Sequence, residues 1–198
     1  MFIKICGLTK EEDFLTAVNA GANAVGFVFA KSPRKIYPEQ AYSLCKNTRE
    51  NIIRVAVMHH PSPEQWHEVK SVFDPDWLQT DWEDFKWLDL GKCKPLPVYR
   101  SGSVTKINKW PDRFIFEGRQ SGTAELANWE EASEVAMNHR LILAGGLNSE
   151  NVASAIQKVR PWGVDVSSGV EAERGTKDPD KIREFIAQVR ATEQKCHK

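Results

Sequence analysis

Leu141-Ile-Leu-Ala-Gly-Gly-Leu-Asn148 and Gly163-Val-Asp-Val-Ser-Ser-Gly169 decide the fold. Each holds a short, mostly apolar run, Leu141–Ala144 and Gly163–Val166, that stops on small residues. Between them Asn148-Ser-Glu-Asn opens a helical pattern through Lys158, stopped before Pro161. Runs that are apolar throughout, rather than alternating, suit parallel strands covered on both faces. Six more such runs lie upstream: Phe2–Cys6, Ala24–Phe29, Ile53–Met58, Asp76–Gln79, Leu96–Arg100 and Arg113–Glu117. The weakest is Asp76–Gln79, which is short and carries Trp77.

Helix signals separate the runs. Thr9-Lys-Glu-Glu12 reads as a cap followed by Glu three residues on, leading into Asp13–Ala20 and closed by Gly21. Pro38–Lys46 opens on proline, and Ser62-Pro63-Glu64 starts a helix to Val72. Asn128–Asn138 is helical after Trp129, and Asp178-Pro179-Asp180 starts a helix to Gln194. Asp81–Pro95 and Ser101–Asp112 show little helical periodicity, so those crossovers read as trimmed. Eight strands, about six helices and no Gly-x-Gly-x-x-Gly fingerprint favour a closed barrel over a doubly wound sheet. The expected fold is a compact (β/α)8 TIM barrel of α/β class, with one or two crossover helices around strand five reduced or missing. Eight units in 198 residues leave about 25 each, near the lower limit for this barrel. One domain over 1–198 is expected.

Composition narrows the partners. Lys+Arg and Asp+Glu are 27 each, so no global basic field draws nucleic acid or an acidic membrane. No apolar run approaches the ~18 residues of a membrane span. Met1-Phe-Ile-Lys-Ile enters a strand at once, without a signal-peptide pattern, so a cytoplasmic protein is expected. The four cysteines are scattered; Cys45, Cys93 and Cys196 read as free thiols, and Cys6 is set apart where a strand turns into a loop at Gly7.

In such a barrel the chemistry sits at the C-terminal strand ends and the loops after them. Gly145-Gly146 and Ser167-Ser168-Gly169 end adjacent strands and let the backbone approach a ligand, which favours a phosphate site over two plain turns. Cys6 ends strand one and Glu117 ends strand six, nearly opposite across the ring. A thiolate base and a carboxylic acid there could flank one substrate, and an inert thiol with a solvated carboxylate is the alternative. Arg34, after Ser32-Pro33, is either a bidentate carboxylate clamp or a solvated loop cation. Adjacent His59 and His60 on an extended chain point opposite ways, and strand two offers no His-x-Asp, so no metal is expected. Trp77, Trp82 and Trp87 are either packing or the walls of a ring pocket.

Lys4-Ile-Cys-Gly-Leu-Thr9, Asn19–Phe29 and Ser32-Pro-Arg34 resemble the N-terminal signature of the phosphoribosylanthranilate isomerase family. Leu143–Asn148, Glu150-Asn-Val152, Val164–Glu171 and Lys177-Asp178 resemble its C-terminal signature, in order over nearly the whole chain. The resemblance implies a cofactor-free (β/α)8 enzyme of tryptophan biosynthesis. Such an enzyme converts N-(5-phosphoribosyl)anthranilate to the 1-deoxyribulose 5-phosphate by an Amadori rearrangement. It implies Cys6 as general base, Arg34 on the anthranilate carboxylate, Gly146, Ser168 and Gly169 in the phosphate loops, and Asp165 near the sugar hydroxyls.

Two stretches depart from the family. Glu117 stands where it has Asp as general acid, and the last glycine of that loop is Ala124. After strand four, Gln-Leu-His-Gly becomes Gln79-Thr-Asp-Trp82, which puts Asp81 at the mouth. The expected partner is a small phosphorylated substrate, with the chain a monomer or weak homodimer. The expected chemistry needs a lowered Cys6 pKa and a raised Glu117 pKa. Another sugar-phosphate isomerase or epimerase, or a non-catalytic phosphate-binding barrel, are the rivals.

Overall fold

The computed structural model describes residues 1–46, 52–102, 110–119 and 125–196. The eight barrel strands are β1 Phe2–Cys6, β2 Ala24–Val28, β3 Ile53–Val57, β4 Trp77–Asp81, β5 Lys94–Arg100, β6 Arg113–Glu117, β7 Arg140–Leu143 and β8 Gly163–Val166. They pair in parallel in sequence order, and β8 closes on β1 through Phe2 opposite Gly163 and Lys4 opposite Asp165. The helices are α1 Glu11–Asn19, α2 Pro38–Cys45, α3 Pro63–Phe73, α4 Trp129–Ala136, α5 Val152–Val159 and α6 Pro179–Cys196.

Side chains alternate along each strand, and that alternation divides the core. Ile3, Ile5, Val25, Phe27, Leu78, Phe114, Phe116, Leu141 and Leu143 pack in the large buried cluster with the helices. The opposite parity fills a smaller cluster inside the ring: Ala24, Val55, Trp77, Leu96, Val98, Ile115, Ile142 and Ala144. Phe2 stacks between Trp77 and Trp162 at 5.5 and 4.7 Å and closes the N-terminal end. The C-terminal end, by contrast, opens into a pocket.

The weakest strand proved longer than its sequence suggested. It leaves Asp76 outside and runs on through Thr80 to Asp81, all buried. Only a 3-10 turn, Trp82–Lys86, stands between β4 and β5, as the missing periodicity implied. Residues 103–109 of the next crossover, and Gly122 and Ala124, lie outside the described residues. Ser62 accepts from the Gln65 N–H at 3.2 Å and Gln65 Oε1 accepts from the Ser62 N–H at 3.0 Å, a reciprocal cap on α3. The expected Thr9 cap is not made: Lys10 occupies the cap position of α1 without a side-chain bond. Asn148 accepts from the N–H groups of Glu150 and Asn151, so α5 starts only at Val152. A short antiparallel ribbon, β9 Glu171–Glu173 with β10 Thr176–Lys177, follows β8 and had no counterpart in the sequence reading.

Candidate active site

The pocket at the C-terminal end encloses about 1120 Å³. Cys6, Arg34, Asp81, Glu117, Gly145, Gly146, Asp165 and Ser168 all line it. Strand parity explains the gathering: Lys4, Cys6, Gln79, Asp81, Arg100, Glu117 and Asp165 share the parity of the inner cluster and so point into the ring. Gly169 is the exception among the expected residues. It does not line the pocket, and it bridges to Asn148 where the β7 and β8 loops touch. A side chain at Gly169 would overlap the Leu147 carbonyl. Gly145 and Gly146 adopt φ of 87° and 62°, a left-handed bend that glycine makes without strain.

Cys6 is 6 % exposed and lies beside the fully buried Lys4, whose Nζ donates to Asp165 Oδ1 at 2.8 Å. Gly26 makes room for this group: a Cβ there would stand 2.9 Å from Cys6 Sγ and 3.2 Å from Lys4 Nζ. Burial pushes the Cys6 thiol up, and the Lys4 ammonium opposes that without overcoming it. The lowered thiol expected for a base is therefore not seen, because desolvation outweighs the pull of Lys4 and Lys177. For Lys4 the balance runs the other way. Burial alone would lower it, but Asp165 and Cys6 hold it above its ordinary value.

Arg34 is not a solvated cation. It is 7 % exposed, and its Nε and Nη2 donate to Glu171 at 2.5 and 2.9 Å. Glu171 also accepts from Lys177 Nζ at 2.9 Å and from the Gly175 N–H at 3.1 Å. Burial raises the Glu171 carboxyl, yet these donors together bring it down to about 2. Lys177 further donates to the Ser167 carbonyl at 2.9 Å, tying the ribbon to the end of β8. Burial lowers Lys177, with Glu171 opposing.

Across the pocket, Arg100 joins two carboxylates: Nη1 lies 2.6 Å from Asp81 and Nε 3.3 Å from Glu117. Asp81 also meets His60 Nε2 at 3.0 Å. His60 Nδ1 pairs with the buried Asp84 at 2.9 Å, a bond that raises His60. The expectation that His59 and His60 diverge fails. His60 sits at φ 46°, off the extended backbone, and the two rings come to 4.3 Å. None of the three tryptophans lines the pocket: Trp77 closes the ring floor, Trp82 stacks on Tyr99 at 6.2 Å, and Trp87 is exposed.

Sequence reasoning singled out neither Lys4 nor Arg100, Glu171 or Lys177 as site residues. A signal existed for the first: a lysine inside an apolar strand, two residues from Cys6, can only face the ring. Glu171 and Lys177 act through a ribbon that no periodicity announces.

Comparison with known proteins bears on this geometry. A family model described as N-(5'phosphoribosyl)anthranilate (PRA) isomerase matches residues 3–188. An N-(5'-phosphoribosyl)anthranilate isomerase of Listeria welshimeri is 37% identical over 203 residues, covering 98% of this chain and 100% of that protein. One from Trichlorobacter lovleyi is 39% identical, covering 93% and 95%. The crystal structure of phosphoribosyl anthranilate isomerase from Thermotoga maritima superposes with a TM-score of 0.86 at 32% identity, over 96% of this chain and 99% of that one. A phosphoribosyl anthranilate isomerase in complex with reduced 1-(o-carboxyphenylamino)-1-deoxyribulose 5-phosphate gives 0.84 at 33%, with the same coverage.

Proposed function

The chain belongs to the N-(5'-phosphoribosyl)anthranilate isomerase family, and on that premise we propose how its pocket carries the reaction. It is an isomerase of tryptophan biosynthesis that converts N-(5-phosphoribosyl)anthranilate to 1-(2-carboxyphenylamino)-1-deoxy-D-ribulose 5-phosphate. In the proposed sequence Glu117, protonated, gives its proton to the ribose ring oxygen and the ring opens to a Schiff base. Cys6, as thiolate, removes the C2′ proton, and the resulting enolamine tautomerises to the ketone. One acid and one base move both protons, and no cofactor enters this scheme.

One observation supports it most: Cys6 and Glu117 line the same pocket as Arg34 and the β7 and β8 loops. The small loop residues Gly145, Gly146 and Ser168 take the phosphate, with Gly169 setting how closely the two loops approach. Arg34 uses Nε and Nη2 on Glu171, which holds the guanidinium flat and leaves Nη1 for the anthranilate carboxylate. Asp165, on the floor with Lys4, faces the sugar hydroxyls. Phosphate anchoring spends remote binding energy on placing C2′ against the thiol. Arg100 supplies the geometry for the longer Glu117 side chain by holding it together with Asp81.

No helix among the described residues is long and apolar enough to cross a membrane. The reading extends to one barrel domain over 1–198, a cytoplasmic location, and a monomer or weak homodimer binding a small phosphorylated substrate. The test is direct. Purified protein consumes the fluorescent substrate and rescues a tryptophan auxotroph, and Cys6→Ala does neither. Absence of turnover and rescue by the wild type overturns the reading; full turnover by Cys6→Ala removes Cys6 as base.

A further inference from the structure

We propose that His59, His60 and Asp81 form a binding site for a zinc-class divalent cation on the pocket wall, separate from the acid and base. Their ligand atoms all lie within 4.8 Å of one another. His60 Nε2 stands 3.0 Å and His59 Nε2 4.0 Å from the same carboxylate oxygen, Asp81 Oδ2. Ligands about 2.0–2.2 Å from a tetrahedral zinc are themselves separated by about 3.3–3.5 Å, so side-chain shifts of about 1 Å suffice.

Three features set this cluster apart from a chance surface group. The first is the backbone: His60 holds φ 46° without being glycine, and that turn is what brings two adjacent imidazoles to one side. Non-glycine residues kept in the left-handed region cost energy and cluster where a geometry is required. The second is the support behind the ligand. His60 Nδ1 lies 2.9 Å from Asp84 Oδ1, and Thr80 Oγ1 donates to Asp84 Oδ2 at 2.5 Å. Asp84 is fully buried. A buried carboxylate on the far nitrogen fixes the tautomer that presents Nε2 to a metal. The third is division of labour on Asp81: Oδ1 serves Arg100 and Oδ2 faces the histidines, so a cation binds without displacing the guanidinium. His59 and His60 are more than half exposed, which leaves the remaining coordination positions open to water. Two imidazoles and one carboxylate favour zinc, cobalt or nickel over magnesium or calcium.

The test uses chelator-treated full-length protein and cobalt(II) as the probe. Wild type should bind one cobalt(II) with the visible absorption of a four- or five-coordinate N/O site, displaced by zinc(II). His59→Ala, at an exposed position outside the proposed acid–base machinery, should weaken this site at least tenfold and leave turnover of metal-free protein unchanged. Asp84→Asn should weaken it about 10–100-fold through the supporting bond alone. No cobalt(II) bound at micromolar concentration, or equal binding by wild type and His59→Ala, overturns the proposal. Because binding is read by absorption, its failure is distinct from a failure to turn over substrate.

Discussion

Replacing Lys4 by Met separates the two tasks of the buried ammonium. Lys4 is fully buried, 2.8 Å from Asp165 and beside Cys6. Methionine keeps the length of the side chain and removes the charge, which leaves Asp165, only 7 % exposed, without its ion partner. Breaking a buried pair from one side costs about 3–5 kcal/mol. Against a total stability of about 5–15 kcal/mol that is a large fraction. With a urea dependence of about 2 kcal/mol per M, the unfolding midpoint should fall by about 2 M. The double variant Lys4→Met/Asp165→Leu replaces both charges by apolar groups and should recover most of that loss. The effect on Cys6 is read in the single variant, because Asp165 itself pushes the thiol up and its removal works the other way. Lys4 is the strongest influence opposing burial at Cys6, so its removal sends the thiol further up. Each unit of rise removes about tenfold of the thiolate at neutral pH. The assay is the rate of Cys6 alkylation against pH, followed by mass spectrometry of the Cys6 peptide, beside urea unfolding of the same samples. An Lys4→Met protein as stable as wild type, with an unshifted alkylation profile, refutes both parts.

Glu117→Gln keeps size and removes the transferable proton, so kcat should fall about 10²–10⁴-fold while a product analogue still binds within a few-fold, by fluorescence titration. Glu117→Asp should retain part of the activity, because Arg100 sits 3.3 Å from the present carboxylate and must move to follow a shorter one. Glu171 predicts a pH dependence of stability. Its carboxyl lies at about 2, below the ordinary 4.5, so its contribution is complete above about pH 4.5 and fades as pH falls toward 2. The stability difference between wild type and Glu171→Gln should therefore shrink across that window, and a constant difference counts against the pairing. The same variant should raise KM more than it lowers kcat, since it unlocks Arg34 without touching the reacting carbons.

The barrel was legible because short apolar runs and helix caps repeat in a fixed order, and parallel strands buried on both faces leave that trace. Edges were less legible. Asp76–Gln79 read as the weakest strand because it is short and carries Trp77, yet β4 runs on through Thr80 and Asp81, both buried. Asp81 belongs to the ring interior, where it pairs with Arg100 and His60, and Thr80, on the opposite face, donates to the buried Asp84. The same blind spot hid Lys4. Thr9 misled in the opposite direction, since a cap signature guarantees a helix start nearby and not the bond itself. Cys6 and Glu117 stood out because they end strands; Glu171 and Lys177 did not, because their role depends on a β9–β10 turn that brings them back under Arg34.

The neutral charge of the chain acquires a local meaning in this pocket. Lys4 pairs with Asp165, Arg34 and Lys177 with Glu171, and Arg100 with Asp81 and Glu117. Four cations thus face four carboxylates around one cavity. An anionic ligand entering it meets cations already paired on the pocket floor, so its affinity draws on the backbone at the β7 and β8 loops, the guanidinium edge that Glu171 leaves open, and the lining cations Lys31, Lys35 and Arg119. Pairing also fixes each charge before the substrate arrives, so little reorganisation is left for the chemical step. The cost falls on Cys6. A neutral surround does little to stabilise a thiolate, and Lys4 and Lys177 together do not offset its burial. Activity should consequently climb with pH through the neutral range, as the fraction of Cys6 thiolate does, and Lys4→Met should move that climb to higher pH.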